Sequence, residues 1–386
     1  MPFEIRPEEE DALLATVAYH YHDYDLLVIR SPPHEHAPVR DSLLEAFPSP
    51  PLSSLGDLHP FPVEIIAAIC LWMDVATLFR FRQINRFARR VISSLLQYRH
   101  ITTHALEAYR ATLRTRIGIQ MHFTLADMHT ALCSPECGGC GKFGSFVFLP
   151  TFTRVCWVCS SGSKISRVST LSSVASYYGK PRAEMRRLLP VISSIPGIYS
   201  LKEIRRTGSV SLVTKESTLA LEAAGVLQRP SLCDKDYEHA CAPFVMHGVY
   251  WAMVTTAFPY LDRATGRAEN GLLCRGCRLN SEQLLWQVDP AGFPGVDCTY
   301  TREAFLEHFK NVCHVGQAFW VASDGGIDDV EPDPAQELTA HGETLQFADS
   351  HEDLRWVGGQ RLGRRRSPLL RRRSLWDSLL GEKNKT

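Results

Sequence analysis

The chain has 386 residues, of which 45% are apolar and 22% charged, a composition typical of globular proteins rather than of fibrous or disordered ones. Its 42 Lys and Arg residues balance 42 Asp and Glu residues, so net charge gives no general attraction to nucleic acid or to a membrane surface. The length is sufficient for two domains with additional terminal segments.

The N-terminal segment, residues 1–54, begins with the acidic stretch MPFEIRPEEE and ends in the Pro- and Ser-rich run FPSPPLSS. These features predict a disordered arm. The start lacks the basic and apolar regions of a secretory signal, so we expect an intracellular protein, in the nucleus or the cytoplasm. The 12 cysteines are then expected to be reduced thiols, among them metal ligands, with disulfides as the weaker alternative.

Residues 55–100 carry the pattern of three short helices, each with apolar residues at helical spacing. Pro62 suits the opening turn of the first helix, because the first helical turn tolerates proline. Asp74 and Asn85 are predicted to cap the second and third helices at their N-termini. A trio this small cannot enclose a core of its own, so it must pack on the rest of the chain or bind a partner.

Several short motifs in this segment, taken in order along the chain, resemble the F-box. They are Phe61-Pro62-x-Glu64-Ile65-Ile66, Met73-Asp74, Thr77-Leu78 and Phe81-Arg82-Gln83-Ile84-Asn85-Arg86. The one departure is Phe61, which stands where the family usually has leucine before the proline.

The resemblance implies that the three helices dock on a Skp-type adaptor, which joins the chain to a cullin–RING ubiquitin ligase. The residues implied at that interface are Phe61, Pro62, Glu64, Ile65, Ile66, Ile69, Leu78, Phe81 and Ile84. An apolar helical face suits a groove on a partner, and its largest anchors would dominate the affinity. The alternative is that the same helices are ordinary internal core, since apolar helical stripes usually face a core.

Four cysteines further along the chain form two Cys-x-x-Cys pairs with 15 residues between them. They are Cys137, Cys140, Cys156 and Cys159. This is the spacing of a zinc ribbon, in which a hairpin, here predicted at 146–149, brings the two pairs together. Four thiolates leave no open coordination position, so the predicted zinc is structural. A redox pair is the alternative, but no thioredoxin-like βαβ pattern surrounds either Cys-x-x-Cys.

Nucleic-acid binding is the main rival to the adaptor role, because zinc ribbons often occur in nucleic-acid-binding proteins. In that alternative the chain is a zinc-dependent binding module, and helices 62–96 are part of its internal core. Lys142 and Arg154 are the only charged residues inside the ribbon. A phosphate-binding face normally needs a denser basic patch, so a nucleic-acid partner is not expected.

A second and weaker candidate metal site combines a later Cys-x-x-Cys pair with residues of a predicted helix capped by Thr301. The candidate ligands of this Cys3His set are Cys274, Cys277, His308 and Cys313. Cys298 or His314 could replace His308 or Cys313, and buried thiols without metal are the alternative.

We predict that the chain is not an enzyme, because it contains none of the common nucleophile, phosphate-loop or dinucleotide motifs. The enzyme alternative is an open coordination position on a metal ion at the second set, which would remain if one of the four ligands failed to bind.

The stretch 242–261 has no formal charge and is long enough to span a bilayer. Its prolines and its β-branched and aromatic residues favour buried strands instead, so no membrane partner is expected.

The F-box motifs, the cysteine block and the later motifs FPYLD, CRGC and FLEHFKNVC together resemble the F-box proteins of filamentous fungi. We therefore predict an α+β protein with an F-box at 55–100 and a cysteine-rich α+β region at 101–320 that binds an unidentified protein substrate. A disordered tail, first acidic and then Arg-rich, is predicted at 321–386, where the arginines could serve nuclear import. The predicted function is non-catalytic substrate recognition in an SCF-type ubiquitin ligase.

Overall fold

The computed structural model describes residues 3–20, 27–31, 33–44, 55–58, 60–117, 123–162, 167–199, 205–228, 250–284 and 298–323. In these ranges the chain is an α+β protein, as predicted, with many short helices and small sheets. The helices are α1 (Glu10–Val17), α2 (Pro33–Leu44), α3 (Val63–Trp72), α4 (Val75–Arg82), α5 (Arg86–Ser94), α6 (Leu96–His104), α7 (Leu106–Arg114), α8 (Leu125–Leu132), α9 (Trp157–Gly162), α10 (Leu171–Tyr177), α11 (Arg182–Leu188), α12 (Lys215–Ala223), α13 (Arg275–Leu284), α14 (Arg302–Asn311) and α15 (His314–Ala322).

The strands are β1 (Ala18–Tyr19), β2 (Phe146–Phe148), β3 (Thr153–Val155), β4 (Val168–Thr170), β5 (Ile192–Ser193), β6 (Gly197–Ile198), β7 (Arg205–Arg206), β8 (Ser211–Thr214), β9 (Thr255–Ala257), β10 (Tyr260–Leu261), β11 (Ala268–Glu269) and β12 (Leu273–Cys274). Two sheets have three strands, in the orders β3-β2-β9 and β4-β8-β5. The pairs β1-β12, β10-β11 and β6-β7 form two-stranded sheets, and every named pairing is antiparallel.

The three predicted helices of the front segment are α3, α4 and α5, and the second and third have the predicted N-terminal caps. The Asp74 side chain accepts a hydrogen bond from the Thr77 amide at 2.9 Å, and Asn85 accepts one from the Ala88 amide at 2.9 Å. Pro62 lies one position before α3 rather than inside its first turn. The trio packs on α6, α7 and α8 and buries its apolar residues in a large core shared with the rest of the chain. This agrees with the expectation that three such short helices cannot form a core alone.

The prediction of a disordered N-terminal arm is wrong for residues 3–20, 27–31 and 33–44, which are folded against later parts of the chain. Leu13 and Val17, four residues apart on α1, are fully buried in a core formed with α14 and α15. Strand β1 pairs with β12, with Ala18 opposite Cys274. The segment has too few apolar residues to fold alone, and it is ordered because distant residues supply its core and its strand partner.

The uncharged stretch 242–261 is described from residue 250, and there it forms a short 3₁₀ turn at Ala252–Val254 followed by β9 and β10. This agrees with the prediction of buried strands. Across the described ranges, no helix has both the length and the apolar content needed to cross a bilayer. The predicted C-terminal tail lies outside the described residues, apart from 321–323 at the end of α15.

Candidate metal centres and an exposed apolar face

The first predicted ligand set comes together as expected, and we call it the first thiol cluster: Cys137, Cys140, Cys156 and Cys159. The four Sγ atoms all lie within 4.8 Å of one another, and those of Cys140 and Cys156 are 3.7 Å apart. Tetrahedral zinc with Zn–S bonds of about 2.3 Å requires sulfur atoms about 3.8 Å apart. The cluster therefore has the dimensions of a four-thiolate site that could hold a metal ion.

The local backbone explains why the four sulfurs converge. The hairpin of β2 and β3 carries the second pair back to the first, with Phe146 opposite Val155. The amide of Cys156 donates to the Cys137 sulfur at 3.3 Å, and that of Gly139 donates to the same sulfur at 3.4 Å. Gly141, which follows the first pair, has a φ of +73°, a conformation that favours glycine. Backbone amides that donate to sulfur orient thiolate ligands and stabilise their charge.

The thiols of this cluster influence one another's ionisation. A hydrogen bond from the Cys156 thiol, assisted by backbone amides, lowers the pKa of Cys137. The same hydrogen bond, together with burial, raises the pKa of Cys156. One thiolate is thus stabilised by neighbours that keep their protons, and a bound divalent cation would supply the charge that allows all four to ionise.

Arg154, one of the two charged residues inside the ribbon, points into the protein rather than toward a ligand. Its side chain is buried, and its guanidinium donates to the carbonyl oxygens of Phe258 at 2.8 Å and of Pro259 at 2.6 Å. It also donates to the Ala131 carbonyl from two nitrogens, at 3.1 and 3.3 Å, and to that of Gly144. The residue joins α8, the hairpin and the segment after β9, so it is unable to contact a phosphate.

The second predicted set also comes together, and we call it the second thiol cluster: Cys274, Cys277, His308 and Cys313. Its four ligand atoms lie within 4.8 Å of one another. The Cys274 and Cys313 sulfurs are 3.4 Å apart, and the His308 Nε2 atom is 3.3 Å from the Cys277 sulfur. The long sequence gap before His308 is closed because Leu272 and Tyr300 exchange backbone hydrogen bonds of 2.8 and 2.9 Å.

A neighbouring ring orients the His308 imidazole of the second thiol cluster. The two alternative ligands, Cys298 and His314, make contacts elsewhere. The Tyr300 ring stacks on the His308 ring with centroids 4.7 Å apart and planes 18° apart. Cys298 instead accepts a hydrogen bond from Lys142 at 3.0 Å, beside the first thiol cluster. His314 is exposed and lies 3.2 Å from the Gln317 side chain. Neither replaces a member of the Cys3His set.

The thiols of the second cluster are coupled in the same way. Hydrogen bonds from Cys274 and Cys277 lower the pKa of Cys313, and the Gly316 amide donates to its sulfur at 3.3 Å. Hydrogen bonds to Cys274 and Cys313, together with burial, raise the pKa of Cys277. As in the first cluster, binding a divalent cation would release the protons that remain.

The N-terminal segment packs against the elements that carry the second thiol cluster. The sequence did not lead us to predict this contact. Phe3 contacts Phe309 edge to face, with ring centroids 5.3 Å apart, and the Phe3 amide donates to the Lys310 carbonyl at 3.0 Å. Arg302 forms an ion pair of 2.6 Å with Asp11. The four-residue spacing of Leu13 and Val17 was the available signal, but one short apolar stripe does not identify its partner.

Gly276, between the two cysteines of the second cluster, permits a close crossing of α13 and α15. A Cβ atom there would lie 2.3 Å from the Gly316 nitrogen and 2.8 Å from the Cys313 sulfur. We expect Gly276→Ala to lower the free energy of unfolding by about 2 to 3 kcal/mol, because backbone at that distance must move apart. Urea denaturation measures the change. Gly208→Ala, where nothing lies within 4 Å, is the matched control, and equal midpoints for the two variants would contradict the expectation.

An apolar face of α3 has no covering within the described part of the chain. Ile65, Ile69 and Trp72 follow one another at helical spacing on α3, Phe61 lies two residues before the helix begins, and all four are exposed. Ile65 is 47% exposed, Ile69 40% and Trp72 75%, and Ile84 after α4 is 67% exposed. Isolated exposed apolar residues are ordinary, whereas a continuous stripe on one helix marks an interaction surface.

The structure divides the predicted docking residues into two groups. Phe61, Pro62, Glu64, Ile65, Ile69 and Ile84 are exposed. Ile66, Leu78 and Phe81 are buried in the main core, so their assignment to a contact surface is corrected: they hold the helices on the protein. Trp72 was missed, although it stands seven residues after Ile65 and thus on the same helical face.

Comparisons of the chain with protein-family models, with curated proteins and with solved structures gave no match.

Proposed function

We propose that this protein is a non-catalytic substrate-recognition adaptor of an SCF-type ubiquitin ligase. In this proposal the exposed face of α3 docks on a Skp-type adaptor, and the cysteine-rich region presents a surface to a protein substrate. The supporting observation is the stripe of Phe61, Ile65, Ile69 and Trp72, which the fold leaves exposed while Ile66, Leu78 and Phe81 of the same trio are buried in the core. The resemblance of these helices to the F-box supplies the identity of the partner.

The physics of the stripe is consistent with a groove-binding role. An amphipathic helix that lays one apolar face into a groove uses anchors about one turn apart. Tryptophan is enriched among the residues that dominate binding energy, and Trp72 is the most exposed member of the stripe. Ile66 and Cys70, on an adjoining face of α3, are buried, so the helix is held in place and loses little entropy on binding.

We further propose that both thiol clusters hold zinc in a structural role. Thiolate-rich sets with one imidazole or none favour zinc over magnesium or calcium, which prefer oxygen ligands. Each cluster has four protein ligands, so a bound tetrahedral ion would have no position left for substrate or water. The ubiquitin-transfer chemistry would then belong to the partner subunits, in the cytoplasm or the nucleus.

The nucleic-acid-binding alternative has less support. Arg154 is buried, and Lys142 is engaged with Cys298, so the first thiol cluster presents no pair of free basic side chains to a phosphate backbone. Salt-dependent binding of an oligonucleotide by the intact chain would favour that alternative over the adaptor role.

Capture of a purified Skp-type adaptor by the intact protein tests the docking proposal. We expect the double substitution Ile65→Asp, Trp72→Asp to weaken the affinity for the adaptor by about 30- to 100-fold. Two apolar anchors that become buried at an interface typically contribute about 2 to 3 kcal/mol to binding. Isothermal titration calorimetry measures the affinity. Stability should change little, since both side chains are exposed in the free protein.

Leu219→Asp provides the matched control, because Leu219 is also an exposed apolar residue, 40% exposed, but lies on α12. This variant is expected to bind the adaptor as the intact protein does. The proposal fails if the folded, metal-loaded intact protein does not bind the adaptor, or if Leu219→Asp weakens binding as much as the double substitution.

A further inference from the structure

A group of imidazoles with one thiol lies between α6 and α8, outside both thiol clusters. His100 and His104 are four residues apart on α6, and His129 and Cys133 are four residues apart on α8 and its C-terminal cap. Residues at this spacing share one face of a helix, and the two helices pack against each other. Two histidines four residues apart on a helix are also a common arrangement of metal ligands.

The donor atoms of this group are already close. The His100 Nδ1 atom is 3.0 Å from the His129 Nε2 atom, and their rings are stacked with centroids 5.3 Å apart. The same Nε2 atom is 3.7 Å from the Cys133 sulfur. Ligands of one tetrahedral zinc ion are about 3.3 Å apart for two nitrogens and about 3.6 Å apart for nitrogen and sulfur. His129 Nε2 stands in the middle of a row of three donors, so binding one ion requires the half-buried side chains of His100 and Cys133 to rotate toward a common centre.

The protonation of these histidines suits metal binding. Burial, followed by nearby positive groups, lowers the pKa of His100, and burial lowers the pKa of His129 to about 4. Both rings are therefore neutral near physiological pH, which is the form that binds metal. The positive groups facing them include Arg99 and Arg263, but both arginines are exposed, where solvent and salt screen their charge.

We propose that His100, His129 and Cys133 form a third metal site, which binds a divalent zinc-class ion. Imidazole and thiolate together select zinc among the common divalent ions, since magnesium and calcium prefer oxygen. The ring proton between His100 and His129 moves by tautomerisation to the other nitrogen of the same ring, so that both facing nitrogens can bind the ion, and the Cys133 thiol releases its proton to solvent. His104, whose ring centroid is 6.3 Å from that of His100, or a water molecule completes the tetrahedron.

The position of the site indicates what the ion does. α6 packs against α5 of the proposed docking trio, and α8 leads four residues beyond its cap Cys133 to Cys137 of the first thiol cluster. An ion bound across α6 and α8 links the docking helices to the cysteine-rich region. The site has fewer thiolates than either cluster and half-buried ligands, so its ion exchanges more readily.

Metal counting on the full-length chain tests this site. The purified protein is dialysed against a weak chelator that removes exchangeable ions, and Zn²⁺ is then titrated back and counted per chain by mass spectrometry. We expect one equivalent to rebind to the intact protein and to be absent from His129→Gln. Thr103→Gln, an exposed position on α6, is the control and should rebind the same equivalent.

A Co²⁺ titration gives a second readout, because cobalt bound to a thiolate produces a charge-transfer band in the near ultraviolet. This band from the exchangeable ion should be lost in Cys133→Ser, while circular dichroism remains unchanged. The proposal is overturned if the intact protein rebinds no exchangeable equivalent, or if His129→Gln rebinds it as well as Thr103→Gln does. His129→Gln and Thr103→Gln leave both thiol clusters unchanged, so the difference between these variants is independent of what the clusters hold and of adaptor binding.

Discussion

Replacement of Cys156 by serine is expected to remove one metal ion per chain and to lower the free energy of unfolding by more than about 3 kcal/mol. Cys156 is buried, its sulfur lies 3.7 Å from that of Cys140, and it directly follows β3 of the ribbon hairpin. A serine hydroxyl does not ionise at neutral pH and is a poor zinc ligand, so the remaining three thiols would lose the ion that holds them together. Metal content by mass spectrometry and urea denaturation measure the two effects.

Cys298→Ser is the control for this experiment, because Cys298 is a thiol that belongs to neither cluster and contacts Lys142 instead. It should keep both cluster ions and nearly all of its stability. An unchanged metal content in Cys156→Ser would contradict the assignment of the first thiol cluster. Loss of an ion from Cys298→Ser would mean that Cys298 is itself a metal ligand and that the assigned ligand sets are wrong.

Arg154→Met is expected to lower the free energy of unfolding by about 3 to 5 kcal/mol, although methionine fills much of the same space. The guanidinium donates to carbonyl oxygens of Ala131, Gly144, Phe258 and Pro259, in three separate parts of the chain. Removing it takes the guanidinium donor from the buried carbonyls of Gly144 and Phe258, and a buried carbonyl that loses its partner costs about 1 to 3 kcal/mol. Lysine is not expected to restore stability, because a single ammonium group lacks the planar set of donors.

Chemical denaturation of Arg154→Met and of Arg187→Met, an exposed arginine on α11, measures this effect. The exposed substitution should change stability by less than about 0.5 kcal/mol. Equal denaturation midpoints for the two variants would show that the buried hydrogen bonds of Arg154 contribute nothing beyond its packing.

The first thiol cluster and the Cys-x-x-Cys pair of the second were predictable because their chemistry is local. A Cys-x-x-Cys turn places two sulfurs on the same side whatever the rest of the chain does, and 15 intervening residues are sufficient for one hairpin. The structure confirms that both predicted sets converge within metal-binding dimensions. His308 and Cys313 were harder to assign, since their approach depends on the pairing of Leu272 with Tyr300, which no spacing rule predicts.

The role of individual residues in the front helices was less predictable. The caps Asp74 and Asn85 were correct, because capping depends on the residue and its next three neighbours. Which apolar residues remain exposed depends on α6, α7 and α8, which cover Ile66, Leu78 and Phe81 and leave Ile65 and Trp72 exposed. The docking of α3 on a Skp-type adaptor stays a prediction.

By itself, then, the sequence determined the α+β class, the helices at 63–94 and the first ligand set, since these depend on short-range periodicity, capping and spacing. The second ligand set was predicted as well, but it converges through the long-range pairing of Leu272 with Tyr300. Only the tertiary structure decided that the N-terminal segment is folded, that Arg154 is buried and which side of α3 is exposed. Each of these depends on contacts between residues far apart in the chain, such as Leu13 with the core around Phe309, or Arg154 with the Phe258 carbonyl. A marginally stable segment is ordered when a distant partner offsets its lost conformational entropy, and that partner cannot be identified from the segment alone.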